Sequence, residues 1–314
     1  MNNFAIEASQ LVKTFPGGLV ILNGLDLNVH RGSVYGLLGC NGAGKTTFLR
    51  VLTGLLHQDG GSLRTLGEDP LRAPLSIREK IAYVPQSFQL PFWMSPEELT
   101  RYWGRLSSRF NASQAFDLAY RWDLPWKRKI GRLSHGEQKK LAFVMSLASN
   151  PELLILDEPG EGFDVMSRKE LNQQLIELVD YNSETTVLIS THQVSDLEKL
   201  ADQVGFMYEG KIPVSISMDE LQSQVKKIQI IHDRPVTKDE IEIPSSLKVE
   251  VLGPVVTALV RWQDNEYLKN LRKTPGLQVN EFTLSLEQLF IEFMESPDEV
   301  FHQWRHPEQF AVVA

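Results

Sequence analysis

Short apolar runs recur along the first two-thirds of the chain and alternate with stretches whose apolar residues fall at helical spacing. Val34–Leu38, Leu153–Leu156 and Thr186–Ser190 are the strongest runs, each ending at polar residues or glycine. Unbroken apolar runs predict strands buried on both faces, and their alternation with helices predicts an α/β layer fold up to about residue 215. Between about 90 and 130 the pattern turns helical, as in Pro96–Trp103. Four tryptophans (Trp93, Trp103, Trp122, Trp126) lie in that stretch. A helical subdomain inserted over about residues 87–150 is expected.

After Gly210 the pattern changes again. Lys226–His232 and Leu247–Trp262 read as strands, the second interrupted by a turn at Gly253-Pro254. Asn265–Lys273 reads as a helix and Leu277–Leu284 as extended chain. Leu286–Glu295 reads as a helix with an apolar face at Leu286, Leu289, Phe290 and Phe293. The tail from Ser296 onward shows no convincing pattern and is expected to be mobile. The expected division is a first domain over residues 1–220 and a small α+β domain over 221–314.

Composition restricts the function classes. The 314 residues suit about two domains, and 42% hydrophobic with 23% charged residues gives a sizeable core. The 32 basic and 40 acidic residues leave a net charge of −8, which argues against a broad nucleic-acid footprint. One cysteine cannot form an internal disulfide, which fits a reducing cytosolic setting. Met1–Glu7 lacks the basic-then-apolar pattern of a secretion signal. No apolar stretch approaches the roughly 18–20 residues of a membrane helix, so work at a membrane requires another chain to cross it.

Candidate chemistry begins at residues 39–47, Gly-Cys-Asn-Gly-Ala-Gly-Lys-Thr-Thr, a full GxxxxGK[ST] phosphate-binding loop. It follows the strand-like Val34–Leu38 and leads into a helical pattern, the setting that confirms the motif. Gly39, Gly42 and Gly44 let the backbone wrap phosphate oxygens with its N–H groups, those of Cys40, Asn41, Ala43 and Thr47 among them. Lys45 supplies positive charge to the β- and γ-phosphates, and the Thr46 hydroxyl is a Mg²⁺ ligand. Leu153–Pro159 is an apolar strand ending in two carboxylates. Asp157 there suits Mg²⁺, and Glu158 suits the attacking water. Leu133–Gln138 precedes a helix expected to start near Lys139, where Ser134 with Glu137 reads as a capping box, while the same helix start is also an anion site. ATP and Mg²⁺ are the expected ligands.

Taken in order, the loop, Gln86 in Tyr83-Val84-Pro85-Gln86, Leu133–Gln138, Leu153–Pro159 and His192 in Ser190-Thr191-His192 resemble the ATP-binding cassette (ABC) ATPases. The resemblance covers about residues 4–215. It implies a P-loop NTPase cassette for 1–220 and an accessory role for 221–314. Gln86 is then the glutamine that touches Mg²⁺ and water, His192 a γ-phosphate contact, and Phe15 an aromatic stacked on adenine. Ser134 and Gly136 are expected to reach the phosphate held by the other subunit of a head-to-tail pair, either a homodimer or a paired second cassette. Asp164 matches the carboxylate crossing that seam. A separately encoded transmembrane permease is the implied partner, with Phe88–Met94 near its docking groove. The implied place is the cytoplasmic face of the membrane.

A lone cassette followed by a C-terminal unit is similar to bacterial ABC-2 type exporter ATPases, as is the ending Phe282–Phe290. Two further readings remain: a soluble cassette uncoupled from transport, and a nucleotide-gated regulator without turnover. Where the usual pattern is Leu-Ser-Gly-Gly-Gln, His135 and Glu137 replace a glycine and the glutamine. Where it is Thr-Ser-Gly-Leu-Asp, the chain reads Gly160-Glu161-Gly162-Phe163-Asp164. Cys40, inside the phosphate loop, reads as a small side chain facing away. The C-terminal unit carries no glycine-rich loop or Asp-Glu pair at a strand end. It is expected to serve dimerisation or regulation, and its removal after about residue 220 to spare ATP binding.

Overall fold

The computed structural model describes residues 3–181, 184–262 and 266–305. The chain opens with two antiparallel strands, β1 (Phe4–Phe15) and β2 (Leu19–His30), and β3 (Val34–Leu38) leads through the glycine-rich loop into α1 (Lys45–Leu52). β4 (Gly60–Thr65), a short α2 (Leu75–Arg78) and β5 (Ile81–Val84) follow. Next come α3 (Pro96–Leu106), α4 (Ala112–Arg121) and α5 (His135–Ala148). β6 (Leu153–Asp157), α6 (Val165–Tyr181), β7 (Thr186–Thr191), β8 (Gln203–Tyr208) and β9 (Lys211–Ser217) continue the chain. α7 (Met218–Gln224) then leads to β10 (Val225–Ile231), β11 (Ser246–Leu252) and β12 (Val255–Arg261). Last are α8 (Glu266–Leu271), β13 (Gln278–Phe282), α9 (Leu286–Glu295) and α10 (Pro297–Arg305).

Among the described residues the strands form three sheets. The six-stranded sheet has the order β5-β6-β7-β3-β8-β9, parallel except for the β8–β9 hairpin. Every residue of β3, β6 and β7 is buried, because both faces of these central strands are covered. In register, Leu38 lies beside Thr191 and Asp157 beside Ser190. One rim therefore collects the three strand ends that carry the sequence motifs, the place where open α/β sheets hold ligands.

The antiparallel sheet β2-β1-β4 was not among the predicted elements. Its signal is nevertheless present, since Leu25, Leu27 and Val29 are buried and alternate with exposed Asp26, Asn28 and His30. Bulges in β1 at Ala8/Leu11, with Gln10 at φ 49°, hide the same period there.

The C-terminal sheet, β11-β12-β10-β13, is antiparallel, and Leu247–Trp262 is a hairpin turning at Gly253-Pro254. One face closes on its own core of Ile228, Ile230, Val256, Val260, Trp262 and Leu268. The apolar face of α9 is spent differently. Leu286, Leu289 and Phe293 join the core beneath the large sheet, with the Phe293 ring 4.7 Å from that of Phe206 on β8. It is therefore not a free dimerisation surface.

The tail expectation is corrected over Pro297–Arg305, which is helical. Pro297 at the start, Asp298 and Glu299 in the first turn, and His302 and Arg305 in the last are helix-end signals, and Val300 and Phe301 are buried. Residues 306–314 of that tail, Met1 and Asn2 of the N-terminal stretch, and Asn265 at the head of the expected helix lie outside the described residues. That helix ends at Leu271 rather than Lys273.

Candidate nucleotide site

The phosphate loop is shaped by its backbone. Gly42 and Gly44 have φ of 86° and 108°, left-handed values that a side chain disfavours. A Cβ on Gly39 would stand 2.6 Å from the Met207 carbonyl oxygen, whereas at Gly42 it would meet nothing within 4 Å. Gly39 is thus required by close packing, and Gly42 borders open space of the kind a phosphate fills. Phe48 N–H donates to the Gly44 carbonyl at 2.9 Å as α1 begins, leaving the preceding amides of the loop outside the helical ladder. Cys40 is exposed.

Lys45 is 6% exposed and turns back over its own loop, donating to the Gly39 carbonyl at 2.7 Å. Its ammonium also stands 3.3 Å from Glu158 Oε1. Glu158, 5% exposed, follows β6 with a left-handed φ of 49°. Its other oxygen accepts from His192 N–H at 3.2 Å and meets His192 Nδ1 at 2.9 Å. One buried carboxylate thus lies between the loop lysine and the histidine after β7. Asp157 is 1% exposed, accepts from the Ser190 hydroxyl at 2.5 Å, and has the Tyr83 hydroxyl 3.5 Å away. Burial first, and then the negative charge of Asp157, pushes the Tyr83 phenol up to about 12.

Other expected site residues have different partners. Gln86 is exposed, and its amide donates to Glu161 at 2.7 Å rather than to Asp157 or Thr46. Ser134 makes the capping box: its hydroxyl accepts from Glu137 N–H at 3.2 Å, and its own N–H donates to the Glu137 carboxylate at 2.6 Å. A Cβ on Gly136 would meet nothing within 4 Å, so no neighbour in this chain demands a glycine there. Asp164 caps α6, accepting from Ser167 N–H at 2.8 Å, and that backbone bond holds its carboxyl below the usual range. Phe15 is half-buried at the end of β1, with the Lys13 ammonium 5.7 Å from its ring centre.

Three residues that the motif reading passed over complete the site. Ser190 holds Asp157, and Tyr83 borders it. Lys139 on α5 donates to the main-chain carbonyls of Glu158 and Glu161. The first two stand inside motifs already singled out for Gln86 and His192. Nothing in the sequence marks Lys139 as buried.

A Mg²⁺ ion takes oxygen ligands and keeps several waters. Thr46 at the start of α1 and the buried Asp157 supply such oxygens at the loop, so the residues present fit the ion. Among the described residues no group of three or more His, Cys, Asp or Glu side chains forms a metal cage. Sites completed by substrate phosphates need none.

Residues 22–161 match the family described as ABC transporter. The chain is 31% identical over 290 residues to the ABC transporter ATP-binding protein YtrB of Bacillus subtilis, covering 91% of this chain and 97% of that one. It is also 31% identical over 287 residues to the Nod factor export ATP-binding protein I of Burkholderia orbicola, covering 88% and 92%. Among solved structures, a dimeric bacterial ABC transporter cassette superposes with a TM-score of 0.61 at 21% identity, over 68% of this chain and 98% of that one.

Proposed function

We propose that turnover requires two cassettes closing over two ATP–Mg²⁺, since this chain belongs to the ABC transporter family and is the ATP-binding, ATP-hydrolysing subunit of such a transporter. Subunits of this family dimerise and work with transmembrane partners. The finer arrangement proposed is head to tail, with Ser134 and Gly136 of the partner subunit completing each site. Residues 1–220 form the nucleotide-binding unit, with the helical subdomain at about 87–150, and 221–314 form an accessory unit.

The observation that carries this reading is the Glu158 carboxylate buried between Lys45 and His192. Arrival of ATP gives the Lys45 ammonium phosphate oxygens in place of Glu158. The freed carboxylate orients a water and accepts its proton as the oxygen attacks the γ-phosphorus and the bond to ADP breaks. His192 supports the γ-phosphate, and Phe15 stacks on the adenine. Backbone amides of residues 39–47 receive the phosphates, and Asp164 sits at the seam. Thr46 and Asp157, with Gln86, would hold a Mg²⁺ ion, which would supply charge neutralisation to the phosphates. Gln86, which donates to Glu161 here, would have to release that bond to take part.

Export is the proposed direction, supported by the name of the Nod factor export relative. A separately encoded transmembrane permease is the proposed partner, and through it this chain sits at the inner face of the cell membrane. Among the described residues no helix is long and apolar enough to cross a membrane. A groove of about 440 Å³ lined by Phe88, Leu90, Leu99, Trp103, Phe110 and Met145 supports docking beside Gln86.

The shared site is tested by mixing. Lys45→Ala removes the phosphate counter-charge and Ser134→Arg obstructs the site of the opposite subunit. A mixed dimer has one doubly damaged site and one intact site. ATPase activity of the mixture is expected to exceed that of either variant alone. No recovery, or full activity from an ATP-independent monomer, overturns the arrangement.

A further inference from the structure

Lys139 is 1% exposed, and lysine is almost never this buried without a charged partner. Among the described residues its ammonium makes no ion pair. It donates to the carbonyl oxygens of Glu158 at 3.0 Å and Glu161 at 2.6 Å. It also lies over the Phe163 ring, 5.6 Å from the centre. Burial pulls its pKa down against the opposing pull of Glu161, Glu158 and Asp157. A desolvated ammonium held by two carbonyls and a ring face is costly to fold around.

The two carbonyls mark the ends of one turn. Glu161 N–H donates to the Glu158 carbonyl at 3.2 Å, so that oxygen accepts from both the turn and Lys139. Glu158 N–H is anchored to the Ser190 carbonyl at 2.9 Å. The residue from which the carboxylate projects has a backbone conformation that a Cβ disfavours, so something must hold it there. Lys139 reaches it from α5, the helix that Ser134 caps. The usual leucine at position 163 has no π face for an ammonium. Phe163 has one.

We propose that Lys139 is a positioning residue for hydrolysis: its ammonium fixes the Glu158–Glu161 turn, aims the Glu158 carboxylate and so governs kcat rather than ATP affinity. This rests on the reading of Glu158 as the group that handles the attacking water. Lys139 makes no hydrogen bond to the phosphate loop, whereas a small misplacement of a reacting group costs about a hundredfold in rate.

The full-length chain carrying Lys139→Met, which keeps length and loses the ammonium, is expected to lose about ten- to a hundredfold in kcat. Its affinity for a non-hydrolysable ATP analogue, by calorimetry, should change less than about threefold. Lys139→Gln, which keeps a donor for one carbonyl, should fall between the two. In a Glu158→Gln background Lys139→Met should cost no further turnover, because the group it positions is gone. Unchanged kcat in folded Lys139→Met overturns the proposal. So does an equal loss of affinity and kcat, or a full additional loss in the Glu158→Gln background. Should Lys139→Met fail to fold, Lys139→Gln is read by the same three measurements. Wild-type turnover by Glu158→Gln alone would instead remove the reading of Glu158, a result recognisable before any Lys139 variant is made.

Discussion

At the scale of single residues, the site is a chain of buried polar groups that hold one another. Ser190 donates to Asp157 at 2.5 Å, and both are essentially inaccessible to solvent. Ser190→Ala removes the donor and leaves a carboxylate in the interior whose next contact is Tyr83 at 3.5 Å. Leaving a buried acceptor unpaired costs about 1–3 kcal/mol. Urea denaturation should show a loss of that size. A change below about 0.5 kcal/mol, within the noise of ordinary surface substitutions, would mean that Ser190 is dispensable to Asp157. Phosphate-loop chemistry was legible in the sequence because it needs a fixed spacing of glycines ending in Lys45-Thr46. Lys139 was illegible because a lysine on a helix usually reaches water, and only the tertiary approach of the Glu158–Glu161 turn buries it. Ser134 caps its own helix, as its spacing to Glu137 predicts, and Asp164 caps α6, a role that its motif did not signal.

At the scale of elements, a helix start is a local chemical event, and the capping box of Ser134 with Glu137 starts α5 at His135 rather than near Lys139, where the sequence pattern placed it. α3 begins with Ser95, whose hydroxyl accepts from Glu98 N–H while the Glu98 carboxylate accepts from Ser95 N–H. Glu98 also pairs with Lys129 at 2.8 Å, and this bond, followed by that from Ser95, lowers its pKa to about 2. A carboxyl depressed in the folded state stabilises above its ordinary pKa and loses that contribution as the folded form is protonated. The stabilisation should therefore be full above about pH 4.5–5 and decay toward about pH 2. The difference in Tm between wild type and Glu98→Gln should be present at neutral pH and shrink as pH falls below that range. A pH-independent difference would show that the carboxylate charge contributes nothing. Missed elements had readable signals too. The first sheet was obscured by bulges in β1, and α10 had its end signals while its apolar residues, Val300 and Phe301, were too few to draw a face.

At the scale of the molecule, the question is whether the C-terminal unit is a detachable appendage. Sequence pattern located its strands and α9 but gave no direction to the apolar face of that helix, because periodicity says that a face is buried and not against what. The structure packs it on the large sheet. Phe293 is fully buried, with rings of Phe206, Phe301 and Trp304 around it at 4.7, 6.1 and 5.7 Å. α10 adds Phe301 against Tyr208 of β8 at 5.8 Å. Cutting after residue 220 would expose the apolar underside of β8, so a truncation expected to spare ATP binding should still cost the nucleotide-binding unit stability. Phe293→Ala isolates the contact within the full chain. Truncating a buried phenylalanine costs about 3–5 kcal/mol. Thermal unfolding of this variant should move down by several degrees or more in the transition that ATP binding stabilises. A chain ended at residue 220 should move the same transition further down and aggregate, since it loses the whole of α9 and α10. If Phe293→Ala lowers only a separate transition that ATP does not shift, or the shortened chain melts as the full one does, the accessory unit is independent of the cassette.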